Sequence, residues 1–223
     1  MRVIELFETM SKEEIDQLLK THFRIYGEIE YHNDGSISVA GDVILTDKSI
    51  THLPVKFRKV SGYFDCSYTN LTSLEGSPQE VGGYFSCSGS TKIITLKGGP
   101  KKVGGYFYCD NTKIASLEGA PEFVGGDFYC DNTPFLKHFL VDENTQISAV
   151  KYLPRQFIKI LNDADIKITQ SVQIIAVDTD PKAIAYINNP TRMAQLTAVK
   201  KNPKVIKWIK NPDPLVLQYL AKK

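Results

Sequence analysis

Apolar residues recur at a regular interval of about 21 residues through the middle of the chain, a length typical of solenoids built from stacked coils. In each repeat a cysteine stands two positions after a phenylalanine. The pairs are Phe64 and Cys66, Phe85 and Cys87, Phe107 and Cys109, and Phe128 and Cys130. Because residues i and i+2 of a strand share one face, the pattern predicts one strand per repeat, with Phe and Cys inward.

The same apolar pattern extends before the first clear repeat. One interval earlier, its apolar positions are occupied by Val43, Leu45, Ile50, Leu53 and Val60. A glycine pair, such as the one at 104–105, precedes each strand from the second clear repeat on. Glycine weakens strand interiors, so its recurrence indicates a close approach that a β-carbon would block.

The repeat also carries a specific motif. The segment 71–87 reads Leu-Thr-Ser-Leu-Glu-Gly-x-Pro-x-x-Val-Gly-Gly-x-Phe-x-Cys. From residue 31 to residue 140 the chain resembles the leucine-rich-repeat-like proteins encoded by large tailed bacteriophages and some bacteria. The resemblance implies a leucine-rich-repeat-like β-solenoid and an interaction role, and it implies no reaction. The usual ladder asparagine is replaced here by Thr69, Ser90, Thr112 and Thr133, so we do not expect an asparagine ladder.

A second repeat, of about 22 residues, begins near Val172. The pair at 176–177 recurs at 198–199, and Pro181 recurs as Pro203. Residues suited to cap a helix stand before prolines in this part, namely Asp180, Asn189, Asn202, Asn211 and Asp213. The short segments between them predict amphipathic helical hairpins that must stack on one another. In the last hairpin Val205, Ile206 and Ile209 share one face. The pattern is similar to the AVKxNPxAIxYIxNP helical repeats of phage and giant-virus proteins.

The rest of the chain completes an α+β prediction. Ser11 and Glu14 form a capping-box pattern ahead of an amphipathic helix, and Asp34-Gly35 signals a hairpin. We predict an N-terminal cap of helix plus hairpin at 1–41, a short leucine-rich-repeat-like β-solenoid of about five coils at 42–147, a cap or linker at 148–171 that follows neither repeat, and a small α-helical hairpin-repeat module at 172–223.

The cysteines invite a metal or disulfide interpretation. Stacked coils lie about 4.8 Å apart, so the outer two cysteines would be roughly 14 Å apart. One zinc ion, with Zn–S bonds of about 2.3 Å, cannot bind all four. A disulfide between neighbours is possible by α-carbon distance alone, whereas the alternative is a ladder of buried free thiols. We predict free thiols, no metal and no cofactor.

The ends and apolar runs of the chain bear on its location. The N-terminus lacks a signal-peptide pattern, so we expect a cytoplasmic protein, in the host cytoplasm if phage-encoded. No apolar run reaches the length of about 18 residues that a membrane span needs, so we expect no membrane partner.

The outward strand positions are rich in tyrosine and aspartate. They include Tyr63, Tyr84, Tyr106, Tyr108, Tyr129, Asp65, Asp110, Asp127 and Asp131. Aromatic residues offer large rigid contact areas and are enriched at interface hot spots, so this face is a candidate for binding a protein. The alternative is that tyrosines simply suit exposed strands.

Charge is distributed unevenly along the chain. The net charge is +2, but residues 171–223 hold nine Lys and Arg against three Asp and Glu, or about +6. The basic residues that could bind an anion are Arg192, Lys200, Lys201, Lys204, Lys207 and Lys210. They could contact phosphate backbones, or they could be the solvated side of amphipathic helices or meet an acidic protein.

The sequence offers no recognised catalytic motif. The four histidines are scattered, and neither a P-loop nor a nucleophile elbow is present. We therefore predict a non-enzymatic scaffold for protein–protein interaction. The phage resemblance implies a host or phage protein, for example a defence component, as its partner. The alternative hypothesis is nucleic-acid binding through the basic C-terminal helices.

Overall fold

The computed structural model describes residues 10–222, and the chain divides after Leu136 into two compact units. Residues 1–9 of the predicted N-terminal cap and Lys223 of the predicted helical module lie outside the described residues. Helix α1 (Lys12–His22) starts with the predicted capping box. The Ser11 hydroxyl accepts from the Glu14 N–H at 3.2 Å, and the Glu14 carboxylate accepts from the Ser11 N–H at 2.7 Å.

A two-stranded hairpin begins the sheet of the first unit. Strands β1 (Phe23–Tyr31) and β2 (Ser36–Leu45) pair antiparallel, and the predicted turn at Asp34-Gly35 joins them. Gly35 has a φ of +70°, which glycine adopts at little cost. On its other edge β2 pairs in parallel with two later strands. The hairpin therefore provides the first rung of the solenoid.

The solenoid contains two short strands in each coil. They are β3 (Lys56–Val60), β4 (Phe64–Asp65), β5 (Glu80–Val81), β6 (Phe85–Ser86), β7 (Lys102–Val103), β8 (Phe107–Tyr108), β9 (Phe123–Val124) and β10 (Phe128–Tyr129). Two parallel ladders leave β2, one running β3-β5-β7-β9 and the other β4-β6-β8-β10. The predicted solenoid class is confirmed, with four coils stacked on the hairpin in the described part of the chain. The single strand predicted per coil is wrong, because the chain bends at the glycine pair and each side of the bend joins its own ladder.

A column of phenylalanine rings fills the solenoid interior. Phe64, Phe85 and Phe107 are fully buried, and each ring stacks on the next at centroid distances of 5.8 and 5.2 Å. Phe128 continues the column 4.9 Å beyond Phe107. Each buried side chain of this size contributes about 1.5 to 3 kcal/mol of transfer free energy. The inward prediction for this column is confirmed.

Side chains with a hydroxyl group occupy the position that the usual ladder asparagine would fill, so no asparagine ladder forms at these four residues, as expected. Thr69, Ser90, Thr112 and Thr133 are buried. The hydroxyls of Thr112 and Thr133 donate to the carbonyl three residues earlier, each at 2.7 Å. This bond satisfies a carbonyl that the turn would otherwise leave unpaired inside the coil. The short hydroxyl therefore replaces the longer amide at this position.

The second unit is helical. Its first helix, α2 (Pro134–Val141), begins before the boundary. The elements that follow are α3 (Glu143–Tyr152), α4 (Pro154–Asp163), α5 (Gln170–Thr179), a first 3₁₀ helix (Pro181–Tyr186), α6 (Arg192–Lys201), a second 3₁₀ helix (Pro203–Trp208) and α7 (Pro214–Ala221). Asp180, Asn202 and Asp213 cap helices as predicted. Asn189 and Asn211 do not, because Thr191 and Asp213 cap the helices that follow them.

A buried glutamine links each helical repeat to the next. The Gln173 amide donates to the Ile168 carbonyl at 3.1 Å, and its oxygen accepts from the Thr191 N–H at 2.8 Å. Gln195 makes the equivalent bonds one repeat later, to Pro190 at 3.0 Å and from Asp213 at 2.9 Å. These bonds tie the loop before each glutamine to the start of the following helix.

The stretch 148–171, for which the sequence predicted a cap or linker, contains most of a further helix pair. In α3 the buried residues are Gln146, Ala149 and Val150, the same three types that α5 buries at 173, 176 and 177. The step along the chain from Gln146 to Gln173 is longer than the step from Gln173 to Gln195. The helical repeat therefore begins one copy earlier than the sequence analysis indicated.

We predict that Gly104→Ala destabilises the solenoid unit strongly. A β-carbon at this position would lie 2.2 Å from the Gly82 carbonyl oxygen of the preceding coil, a backbone atom that cannot move without disturbing the ladder. Overpacking of this kind costs about 1 to 3 kcal/mol, measurable by chemical denaturation. The matched control is Ser61→Ala, at the position equivalent to Gly82 one coil earlier, where a β-carbon is already present. Equal stability losses in both variants would contradict the steric explanation.

Candidate functional site

All five predicted tyrosines meet on the outer side of the β4-β6-β8-β10 ladder. We call Tyr63, Tyr84, Tyr106, Tyr108 and Tyr129 together the tyrosine face. The ring centroids of Tyr63 and Tyr84 are 4.6 Å apart, and those of Tyr84 and Tyr108 are 5.9 Å apart. Tyr108 lies 4.9 Å from Tyr129, while Tyr106 lies about 6 Å from both. The two outward columns predicted from the sequence therefore form one continuous aromatic array.

The orientation of the rings decides what a partner would meet. Tyr63 and Tyr84 are parallel within 5°, and Tyr108 and Tyr129 within 7°. In each pair one face of every ring is turned toward its neighbour, which leaves ring edges and hydroxyl groups more accessible than ring faces. Tyr106 is the most exposed of the five, at 45%. The array therefore offers mainly hydrogen-bonding hydroxyls on a rigid aromatic base.

Carboxylates lie between and beside the tyrosines. The Asp65 carboxylate accepts from the Ser67 N–H at 2.9 Å. The Asp110 carboxylate accepts from the Asp131 N–H at 2.8 Å and from a serine hydroxyl at 3.2 Å. Asp127 accepts from the Tyr129 hydroxyl at 3.4 Å. These bonds fix the carboxylates of Asp65, Asp110 and Asp127 at this surface.

The sequence analysis missed two members of this surface. The Asp42 carboxylate accepts from the Tyr63 N–H at 3.0 Å, and Tyr26 lies opposite Asp42 in the hairpin register. Tyr26 is 50% exposed. A signal for Asp42 was available, since it stands one repeat interval before Tyr63 in the same outward column. Tyr26 lies outside the repeat, so no spacing could have indicated it.

The electrostatic environment of the tyrosine face is negative. Burial and then the nearby Asp65 raise the pKa of Tyr84 to about 12. Burial followed by Asp42 raises the pKa of Tyr63, and burial followed by Tyr106 and Asp110 raises that of Tyr108. These phenols stay neutral at physiological pH and act as hydrogen-bond donors and acceptors.

The four cysteines are buried free thiols, as predicted. Cys66 donates to the Ser86 carbonyl at 3.1 Å and Cys109 to the Tyr129 carbonyl at 3.2 Å. Burial raises the pKa of Cys87 and Cys130 to about 12, so these thiols are protonated and weakly nucleophilic. Within residues 10–222 no group of three or more His, Cys, Asp or Glu side chains is placed to hold a metal ion.

The six predicted anion-binding residues of the helical unit fall into three groups of two. Arg192 pairs with Asp213 and Lys201 with Asp178, each at 2.7 Å, so these two charges are compensated. The Lys200 ammonium lies 6.0 Å from the Tyr219 ring, and Lys207 lies 5.0 Å from the Trp208 ring. The remaining two, Lys204 and Lys210, are exposed. The predicted set is therefore not one cationic site.

Comparisons with known proteins add no relative. No family model, no curated protein and no solved structure matches the chain. In the described part of the chain, every helix is too short or too polar to cross a membrane.

We predict that stability falls steeply at alkaline pH. In the folded protein Cys87 and Tyr84 have pKa values of about 12, against ordinary values of 9.0 and 10.0. Because unfolding lets these groups ionise, their contribution is complete below about pH 9 and is lost as pH rises toward 12. Denaturant titrations from pH 7 to 11 in the presence of a reductant should show this decline. Cys87→Ala should flatten the slope, and a profile level to pH 11 would contradict the assignment.

Proposed function

We propose that the solenoid unit is a non-enzymatic module for binding a protein, and that the tyrosine face is its docking surface. The observation that carries this proposal is the continuous contact of five tyrosines along one ladder. Tyrosine supplies large contact area while losing only two side-chain torsions on binding. Tyrosines are also enriched among the residues that dominate binding energy.

The rigidity of the ladder supports this role. The strands under the tyrosine face are joined by backbone hydrogen bonds, including Phe85 N–H to the Tyr106 carbonyl and Phe107 N–H to the Asp127 carbonyl, both at 3.0 Å. The rings are further held by one another. A surface that is already ordered loses little conformational entropy when a partner binds.

A binding role accounts for the chemistry of the face better than catalysis does. The phenols of Tyr63, Tyr84 and Tyr108 have raised pKa values, as has the thiol of Cys87 buried beneath them, which is the opposite of what an activated nucleophile needs. The aspartates lie along an open sheet and do not converge on one point. With the phage resemblance, the proposal extends to a host or phage protein met in the cytoplasm, such as a defence component.

Replacing both Tyr108 and Tyr129 by alanine should weaken capture of the partner at least about tenfold. The two rings stack at 4.9 Å, so the double substitution removes half of the stacked array without touching the core. The measurement is affinity capture from host and infected-cell lysates, followed by titration of each captured protein. Tyr152→Ala is the matched control, because Tyr152 is 53% exposed and belongs to the helical unit. Undiminished binding of every captured protein to the double variant would contradict the proposal.

Nucleic-acid binding by the helical unit is the second candidate. The observation that favours it is the exposure of Lys204, Lys207 and Lys210 around the second 3₁₀ helix, together with a Trp208 ring that is 38% exposed. In residues 10–222 these three lysines form no ion pair with a carboxylate. Cations beside an accessible aromatic ring are the groups that bind single-stranded nucleic acid.

Reversing Lys204, Lys207 and Lys210 to glutamate tests this second candidate. If it holds, the wild-type chain binds single-stranded DNA or RNA at low salt, the affinity falls steeply with salt, and the reversal abolishes binding. Fluorescence anisotropy from about 25 to about 300 mM salt measures all three results. Lys151→Glu/Lys182→Glu is a control on other exposed lysines of the same unit. Absence of binding at the lowest salt would eliminate this candidate.

A further inference from the structure

Acidic side chains of the solenoid have different partners on the tyrosine face and away from it. Away from the tyrosine face, Glu80 lies between Lys59 and Lys102, at 3.6 and 3.5 Å. Glu118 similarly pairs with Lys97 at 2.7 Å. The strand register places Glu80 directly between the two lysines of the neighbouring coils. The charges of Glu80 and Glu118 are therefore compensated within the solenoid itself.

The tyrosine face lacks such compensation. In residues 10–222, no Lys, Arg or His side chain forms an ion pair with the carboxylates of Asp42, Asp65, Asp110 or Asp131. The outward strand positions of this ladder contain Tyr, Asp and Ser and no basic residue between Tyr63 and Asp131. The carboxylates of Asp42, Asp65 and Asp110 therefore accept from neutral donors of the described residues.

The face is also richer in acceptors than in donors. Asp42 and Asp65 each use one carboxylate oxygen to accept a backbone N–H, and the second oxygen has no hydrogen bond to a described residue. A carboxylate accepts only, while a tyrosine hydroxyl both accepts and donates. The surface therefore matches a partner that brings several N–H donors and positive charge.

We propose that the tyrosine face binds an extended, arginine-rich polypeptide segment, with guanidinium groups held by Asp42, Asp65, Asp110 and Asp131 beside the tyrosine rings. This inference rests on the proposed function and names the chemical class of its partner. Arginine fits better than lysine, because its planar group can bond a carboxylate through two N–H donors. It can also lie flat on the exposed Tyr106 ring. The four carboxylates lie on four of the five rungs from β2 to β10, at a rung spacing of about 4.8 Å, so one segment can contact several coils at once.

The test measures binding of fluorescein-labelled octa-arginine, octa-lysine and octa-glutamate peptides to the full chain by anisotropy at about 50 and about 150 mM salt. We expect octa-arginine to bind more tightly than octa-lysine, and octa-glutamate not to bind. Asp65→Asn/Asp110→Asn should weaken octa-arginine binding at least about tenfold, which corresponds to about 1.4 kcal/mol. These substitutions keep the side-chain shape, and circular dichroism with thermal melting confirms that each variant is folded.

The matched control is Glu80→Gln/Glu118→Gln, which removes the same charge from the same unit at positions already paired with lysines. It should change octa-arginine binding less than about twofold. Equal weakening by both double variants would show attraction to net charge only, and would overturn the proposal. Equal affinities for octa-arginine and octa-lysine would overturn the preference for guanidinium.

Failure of the arginine-rich partner can be distinguished from failure of the tyrosine face as a docking surface. If Tyr108→Ala/Tyr129→Ala abolishes capture of a protein while Asp65→Asn/Asp110→Asn does not, the docking surface stands and the arginine-rich partner is rejected. Sedimentation of the chain at low salt tests whether a second copy of the chain occupies the tyrosine face. Self-association that the aspartate substitutions abolish would assign the face to a second copy of this chain and would also reject the proposal.

Discussion

The structure of the first unit depends on in-register stacking of its coils. Backbone hydrogen bonds between neighbouring coils hold each residue next to its counterpart in the following coil, at a spacing of about 4.8 Å. At every repeated position, the side chain must therefore fit against its counterparts in the neighbouring coils. Flat rings such as Phe85 and Phe107 stack, small thiols fit beside them, and the position of Gly104 excludes a β-carbon because the neighbouring backbone is too close. The same constraint places the tyrosines in contact outside.

The helical unit meets a similar constraint with different chemistry. Short helices are not stable alone, so each must be fixed to the next. The buried Gln173 and Gln195 do this through backbone groups of the adjoining loops. Exposed ion pairs between repeats, such as Arg192 with Asp213, add little by comparison. These hydrogen bonds involve only the glutamine side chain and main-chain atoms, so the outer residues of each repeat are not needed to maintain the stack.

The sequence predicted what repeats and missed what depends on local geometry. The inward columns and the outward tyrosines followed from strand alternation and period alone. The second ladder was missed, because strands such as Lys102–Val103 are too short to show an alternating pattern. The early helical copy was missed because a longer loop before Thr169 breaks the regular spacing. The pairing of Lys201 with Asp178 was equally invisible, since it joins residues of different repeats.

The pairing of charged side chains between neighbouring coils distinguishes charges that stabilise the fold from charges that do not. On the β3-β5-β7 ladder the alternation of Lys59, Glu80 and Lys102 relieves the repulsion that stacking like residues would create. Asp110 and Asp131 occupy equivalent positions of adjacent coils without such relief, and like charges side by side destabilise a sheet. Neutral donors, such as the Asp131 N–H, reduce this cost but do not remove the charge. A lysine or serine at one of these two positions would remove the repulsion, and the cation proposed to bind from outside would remove it in the same way.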